Sequence, residues 1–315
     1  MRECRCGMPL AEQKASTRIS LKNVLFATDF SAVAQAALPY AVAISRHYGS
    51  TLHAVHVIPD FNILVHPQAV DPVTFEFAYE AEKRAALKHM RVLVPDLLSI
   101  NHHMYIRHGG IWDALSEIMS QQQIDLLVLG THGRRGLSKL ITGSVAEELV
   151  RLAPCPVLTV GPKVSGVVKE EFDEALQDIR PAEIELKQII FAMDFNPESL
   201  AAAPFAISLA EEFQARLGLV YVIPKDLPTP SRLVLQRLEH LVPAEAALWC
   251  RPENLVKFGK PAEQILQCAS ERSADLIVLG VRSAKSHLGS ATHFPWSTAH
   301  RVIAGASCPV MTVRI

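Results

Sequence analysis

Residues 125–129 read DLLVL, residues 130–144 read GTHGRRGLSKLITGS, and residues 145–152 read VAEELVRL. The first run is apolar after its aspartate, which is typical of a buried strand. The third run has apolar side chains at positions 145, 149, 150 and 152, a spacing that suits a helix packed on one face. This stretch therefore predicts a strand, a glycine-punctuated basic loop and a helix, in that order.

The chemistry of the loop suits an anion. Its glycines let main-chain N–H groups approach a ligand, and the start of a helix at Ser144 adds positive partial charge. Arg134, Arg135 and Lys139 add formal charge. A structural alternative uses the same region, because Ser144 and Glu147 have the spacing of a capping box, which needs no ligand. The loop is not a Walker A loop, and the chain contains no G-x-G-x-x-G dinucleotide fingerprint.

The chain contains two copies of a larger unit that includes this stretch. Each copy has the size of one compact domain. The following segments recur in the same order: 22–30 as 187–195, 125–130 as 275–280, and 155–160 as 308–313. We expect an N-terminal tail at 1–19, a first domain at 20–163, a linker at 164–185 and a second domain at 186–315.

Within each copy, predicted strands alternate with predicted helices. This alternation indicates a parallel sheet with helices on both faces. Ligands of such sheets bind beyond the carboxyl ends of the strands, where the direction of the connections reverses. Asp29 and Gly130 both follow predicted strands, so we expect them at that edge. Asp29 has an alternative role as a turn residue that caps the next helix, although Ser31 is better placed for capping.

Three separated motifs carry a resemblance to a known family. The loop contains Gly130, two residues, Gly133, nine residues and then Gly143-Ser144. This spacing resembles the nucleotide-binding signature of the universal stress protein family. The segments ATDFS at 27–31 and APCPVLTV at 153–160 match the same family in the same order. The resemblance covers both copies. It implies an α/β fold of two tandem doubly wound parallel-sheet domains, adenine nucleotide α-hydrolase-like and related by a pseudo-twofold axis.

The resemblance also implies a ligand, ATP, with magnesium as an optional bridge between the phosphates. The loop would contact the phosphates, Asp29 would accept from a ribose hydroxyl or meet the adenine amino group, and the Val57 main chain would pair with adenine. No catalytic residue and no dedicated metal ligand is implied. The residues of this candidate site are Ala27, Asp29, Val57, Gly130, His132, Gly133, Arg134, Gly143, Ser144 and Val145.

The second copy departs from the signature in its loop. Ser283 stands where the first copy has its second glycine, and Phe294-Pro295-Trp296 stands where the Gly-Ser pair is expected. Proline has no main-chain N–H to offer a phosphate. Asp194 matches Asp29, but the phosphate-binding residues are replaced. We therefore expect one nucleotide per chain at most, in the first domain.

Composition narrows the class of protein. The 315 residues include 31 Lys and Arg and 32 Asp and Glu, so the net charge is close to zero. This balance argues against a surface that binds nucleic acids or anionic membranes in general. No apolar run approaches the roughly 20 residues that span a bilayer, and residues 1–20 lack the apolar segment of a secretory signal. We expect a cytoplasmic protein without membrane insertion. Of its six cysteines, Cys155 and Cys308 occupy equivalent positions and are expected to be buried.

Three functions fit these observations. The first is an ATP-binding stress sensor or regulator with a protein partner that the sequence does not identify. The second is a slow ATP hydrolase, although the motif shows no obvious general base for activating water. The third is an interaction scaffold with a vestigial loop.

The last strand of each copy is expected at a sheet edge, which proteins cover or pair. We expect 157–160 and 310–313 to pair antiparallel, which makes the chain an internal pseudo-dimer and leaves a further homodimer open.

Overall fold

The structure, a computed structural model, describes residues 18–60, 72–131, 144–164, 184–225, 229–281 and 298–314. In the first copy, strands and helices alternate as the sequence predicts. The strands are β1 (Asn23–Ala27), β2 (Thr51–Pro59), β3 (His102–Gly109), β4 (Leu126–Gly130) and β5 (Val157–Val160). The helices are α1 (Ala32–Tyr48), α2 (Pro72–Leu97), α3 (Ile111–Gln121) and α4 (Ser144–Leu152).

The second copy repeats this order with one difference. Its strands are β6 (Gln188–Ala192), β7 (Arg216–Ile223), β8 (Glu253–Phe258), β9 (Leu276–Gly280) and β10 (Val310–Val313). Its helices are α5 (Pro197–Glu212), α6 (Ser231–Glu239), α7 (Ala244–Cys250), α8 (Pro261–Glu271) and α9 (Thr298–Gly305). Two short helices, α6 and α7, stand where the first copy has α2. Helix α6 ends at Glu239, and Pro243 is the N-cap residue of α7. Proline is tolerated at the start of a helix because the first N–H groups of a helix have no partner within it.

The described strands form one sheet across both copies. Their order is β3-β2-β1-β4-β5-β10-β9-β6-β7-β8, so the second copy continues the first in reverse. Among the described strands, neighbours within each copy are parallel, and only β5 and β10 meet antiparallel. This order is that of two doubly wound units related by a pseudo-twofold axis, which confirms the predicted fold class.

The junction between the copies is symmetric about its central residue pair. Leu158 faces Met311, flanked by the pairs Thr159 with Val310 and Val157 with Thr312. Each flanking threonine adds a side-chain bond: Thr159 Oγ1 donates to the Val310 carbonyl at 3.0 Å, and Thr312 Oγ1 donates to the Val157 carbonyl at 3.3 Å. The antiparallel pairing predicted from the two terminal segments is therefore present.

Packing joins the copies on one face of the sheet. A single apolar core on this face contains residues of both copies, whereas each copy has its own core on the opposite face. Helices α1 and α5 meet across the junction, where the Tyr48 hydroxyl lies 3.3 Å from Ser208 Oγ and the rings of His47 and Phe213 lie 4.0 Å apart. Burial raises the pKa of Tyr48 to about 12. Among the helices in the described ranges, none combines the length and apolarity needed to cross a bilayer.

Candidate functional site

Helix α1 begins directly beyond the carboxyl end of β1. Ser31 is its N-cap, with φ −69° and ψ 158°, and Ser31 Oγ accepts from the main-chain N–H of Ala34 at 3.2 Å. Asp29 Oδ1 accepts from the N–H of Ser31 at 3.0 Å. The cap is therefore Ser31, as expected, and Asp29 shapes the turn before it. Its carboxylate lies at the edge of the sheet where ligands of parallel α/β folds bind.

Phe30 occupies the left-handed region in this turn, with φ 62°. A side chain there is uncommon and must be held by its surroundings. The Phe30 N–H donates to Thr28 Oγ1 at 3.0 Å. The Phe30 ring lies 4.4 Å from the His56 ring and 5.0 Å from the His89 ring. His56 Nδ1 donates to the carbonyl of Thr28 at 2.8 Å, so one imidazole contacts both the backbone and the ring of the turn.

Gly130 brings β4 and α1 together at the same edge. Strand β4 lies beside β1, with Leu129 paired to Ala27. A Cβ on Gly130 would lie 2.8 Å from the main chain of Val33 and Ala34, in the first turn of α1. No real Cβ tolerates that distance to backbone atoms, so glycine is needed here for helix packing whether or not a ligand binds. This packing role is a reason for Gly130 that the sequence did not reveal.

The second copy has the same close approach. A Cβ on Gly280 would lie 2.3 Å from the carbonyl carbon and oxygen of Glu198 and 2.5 Å from the N of Ser199. Gly280 is retained although the loop after it departs from the signature. Close packing accounts for the glycine at this position in both copies.

The loop after Gly130 leads from the carboxyl end of β4 to the start of α4. Strands β4 and β5 are parallel, so the connecting helix runs back across the sheet and begins at the carboxyl edge. Ser144 is the exposed first residue of α4, and Val145 is half-buried against the core of the first copy. The predicted site residues His132, Gly133, Arg134 and Gly143 lie outside the described residues.

Val57 lies near the end of β2, 9% exposed and paired with Arg107 of β3. The carbonyl of Val55 accepts from the N–H of Thr28 at 2.9 Å, one residue beyond the last pair between β1 and β2. Main-chain groups alternate in direction along a strand, so those of Val57 point to the same side as those of Val55. They therefore face the space beyond the end of β1.

The described part of the predicted site thus converges on one edge of the sheet. Ala27, Asp29, Val57 and Gly130 belong to three adjacent strands or to the turns that follow them. Ala27, Asp29 and Gly130 lie at or beyond the carboxyl ends of β1 and β4, and Val57 lies near the carboxyl end of β2. Sequence reasoning missed His56, which is 8% exposed and bonded to the turn that carries Asp29. The available signal was a histidine in a largely apolar strand, one residue before Val57, although the same strand also contains His53.

The corresponding turn of the second copy keeps its shape with different contacts. Phe195 has φ 60°, and its N–H donates to the Met193 sulfur at 3.2 Å. Its ring lies 5.4 Å from Tyr221, with the Arg237 guanidinium 3.8 Å from the ring centre. Both carboxylate oxygens of Asp194 accept from Asn196, one from its N–H at 3.0 Å and one from its Nδ2 at 2.7 Å. Ser283, Pro295 and Trp296 lie outside the described residues.

The buried cysteines offer no reactive group. Cys155 and Cys308 are buried at equivalent positions, as the sequence predicts, and burial raises the pKa of each thiol to about 12. A thiol with such a pKa is protonated at neutral pH and is a poor nucleophile. Within the described ranges, no group of three or more His, Cys, Asp and Glu side chains is placed to hold a metal ion.

Known proteins match the chain in both copies. The sequence profile of the universal stress protein family matches residues 20–161 and 185–314. Universal stress protein A homolog 1 of Coxiella burnetii is 32% identical over 143 residues, which are 44% of this chain and 95% of that protein. Universal stress protein E of Photorhabdus laumondii is 24% identical over 310 residues, which are 93% of this chain and 95% of that protein.

A solved structure shares the fold along most of the chain. The crystal structure of a universal stress protein from Archaeoglobus fulgidus superposes with a TM-score of 0.64 at 18% sequence identity, and the match covers 93% of this chain and 98% of that one. The sequence matches and the sheet order agree on two consecutive units of one type. The chain therefore belongs to the universal stress protein family, as a tandem member with two copies of the family's unit.

Proposed function

We propose that the first copy binds ATP and that the chain acts as a nucleotide-dependent regulator in the cytoplasmic stress response. The observation that carries this proposal is the convergence of Asp29, the Val57 main chain and the start of the basic loop at one edge of the sheet. Family membership supports the same function. In this proposal the first domain spans 20–163, the linker 164–185 and the second domain 186–315.

Each part of a nucleotide has a matching group in this arrangement. The loop that begins at Gly130 and ends at α4 would hold the phosphates with main-chain N–H groups, aided by the positive end of α4. Asp29 would accept from a ribose hydroxyl or from the adenine amino group. The Val57 main chain faces the space beyond β1, where the edge of an adenine ring would lie. Magnesium would enter on the phosphates, as it commonly does in nucleotide sites.

Replacing Gly133 with aspartate tests the site. The variant places a carboxylate against the phosphates, and we expect ATP affinity to fall by about a hundredfold or more because like charges at close range are strongly unfavourable. Isothermal titration calorimetry measures the affinity. Ser283→Asp is the matched control, since Ser283 holds the equivalent position of the second copy, and we expect it to bind ATP as the wild type does. Equal ATP affinity in wild type and Gly133→Asp would show that the loop is not the phosphate site.

Stoichiometry tests the difference between the copies. We expect one ATP per chain, because both carboxylate oxygens of Asp194 are engaged by Asn196 and the second loop contains Pro295 in place of an N–H donor. A calorimetric stoichiometry near two would contradict this. No heat of binding, together with no nucleotide released from the denatured protein, would favour the scaffold function. Slow conversion of ATP that disappears in Gly133→Asp would favour the hydrolase.

A further inference from the structure

His56 is a buried imidazole that connects two strands of the first copy. It belongs to β2 and is 8% exposed. Its Nδ1 lies 2.8 Å from the carbonyl oxygen of Thr28, beyond the end of β1. A carbonyl oxygen can only accept, so Nδ1 carries the hydrogen of this bond. The bond therefore fixes both the orientation of the imidazole and the position of the residue that precedes Asp29.

The turn that carries Asp29 needs such support. Phe30 follows Asp29 in a left-handed conformation, which is unfavourable for a side chain with a Cβ. A strained residue persists only where its surroundings hold it. Here the His56 and His89 rings lie 4.4 and 5.0 Å from the Phe30 ring. His56 thus contacts the turn on both sides of Asp29, at the Thr28 carbonyl before it and at the Phe30 ring after it.

We propose that His56 is a positioning residue for nucleotide binding, which acts by holding Asp29 in the orientation that receives the nucleoside. This inference rests on the function proposed above. His56 donates to the Thr28 carbonyl and packs on the Phe30 ring, whereas Asp29 makes the contact with the ligand. The second copy has Tyr221 beside Phe195 instead, so the imidazole is a feature of the copy that we expect to bind ATP.

Two amide substitutions separate this role from simple burial. In His56→Asn, the side-chain amide nitrogen takes nearly the place of Nδ1 and can still donate to Thr28, so we expect ATP affinity within about threefold of wild type. In His56→Gln, the amide nitrogen reaches the place of Nε2 instead, and we expect a loss of about tenfold because one buried hydrogen bond is broken. Calorimetry gives the affinities, and thermal melting confirms that both variants fold.

A double-mutant cycle with Asp29→Ala tests whether the effect passes through Asp29. If His56 acts by orienting Asp29, His56→Gln causes no further loss once Asp29 is alanine, so the two effects are not additive. Additive effects would overturn the proposal. Phe30→Ala keeps the imidazole and removes the ring that packs on it, which gives a second measure if His56→Gln does not fold. We expect about a fivefold loss of affinity, and unchanged affinity in this variant would also overturn the proposal.

Tyr221→Leu is the matched control in the second copy, and we expect it to leave ATP affinity unchanged. A loss of affinity in this variant would overturn a role confined to the first copy. Equal affinity in wild type and His56→Gln, while Gly133→Asp abolishes binding, would overturn the role of His56 and leave the proposed function intact. Absence of ATP binding by the wild type would overturn both.

Discussion

Thr312→Pro is expected to separate the two copies. The carbonyls of Pro309 and Val313 accept from N–H groups on the β9 side, those of Ile277 and Val281. Because main-chain direction alternates along a strand, the groups of Thr312 face β5. Proline at 312 removes the N–H that faces Val157 and also the hydroxyl that donates to the Val157 carbonyl. Proline is excluded from central strands, and we expect the free energy of unfolding to fall by about 3 kcal/mol or more.

The measurement is thermal unfolding combined with small-angle X-ray scattering. Wild type should unfold in one cooperative transition, because a single core spans both copies. Thr312→Pro should unfold in two transitions and show a larger radius of gyration. Thr312→Val is the control: it keeps the N–H and the shape, loses only the hydroxyl bond, and should cost about 1 kcal/mol. If Thr312→Pro melts in one transition at the temperature of Thr312→Val, the junction does not hold the copies together.

The register between β5 and β10 makes position 312, and not the centre of the junction, the place where proline breaks the pairing of the copies. Leu158 and Met311 face each other on the pseudo-twofold axis. The carbonyls two residues before and after Leu158, those of Pro156 and Val160, accept hydrogen bonds from the β4 side. The carbonyls two residues before and after Met311, those of Pro309 and Val313, accept from the β9 side. The main-chain groups of Leu158 and Met311 therefore point away from the junction, because direction alternates along a strand. Proline at either residue would break the ladder inside one copy. A sequence predicts that two strands pair, whereas the direction of each N–H depends on register.

The architecture could be predicted because its signals are local and repeated. Leu126–Leu129 and Leu276–Leu279 are apolar runs of strand length, and each is followed by a glycine. The sequence predicts Ser31 as the cap of the helix after Asp29, and the structure has Ser31 as the N-cap of α1. The same helix ends at Gly49, which is the C-cap in the left-handed region with φ 65°. Such signals lie within a few residues of the element they define. The alternation of these elements then selects the parallel sheet.

The contacts that shape the site could not be predicted in the same way. Gly130 is required by Val33 and Ala34, which lie almost a hundred positions earlier in the chain. The bond from His56 to Thr28 likewise joins residues on different strands. No local pattern encodes which side chain reaches which carbonyl, because those distances follow from tertiary packing. The sequence therefore indicated that Gly130 matters but not that α1 packs against it.

Gly130 and Gly280 end equivalent strands. We expect Gly280→Ala to lower the free energy of unfolding more than Gly130→Ala does. A Cβ at position 280 would lie 2.3 Å from the carbonyl of Glu198 and 2.5 Å from the N of Ser199. These are backbone atoms of α5, so the helix itself must shift from the sheet. Overpacking of this kind usually costs about 1–3 kcal/mol, and we expect the upper end of that range. Chemical denaturation followed by circular dichroism measures the free energy of unfolding.

Two further alanine variants complete this series. Gly161→Ala is the control, because its Cβ would meet nothing closer than 3.7 Å, and we expect a change within about 0.5 kcal/mol. Gly130→Ala should fall between them, since its contacts are at 2.8 Å. Only Gly130→Ala should also weaken ATP binding, because it displaces the first turn of α1, which follows Asp29. Should Gly280→Ala prove as stable as Gly161→Ala, close helix packing would no longer explain why both copies end this strand with glycine.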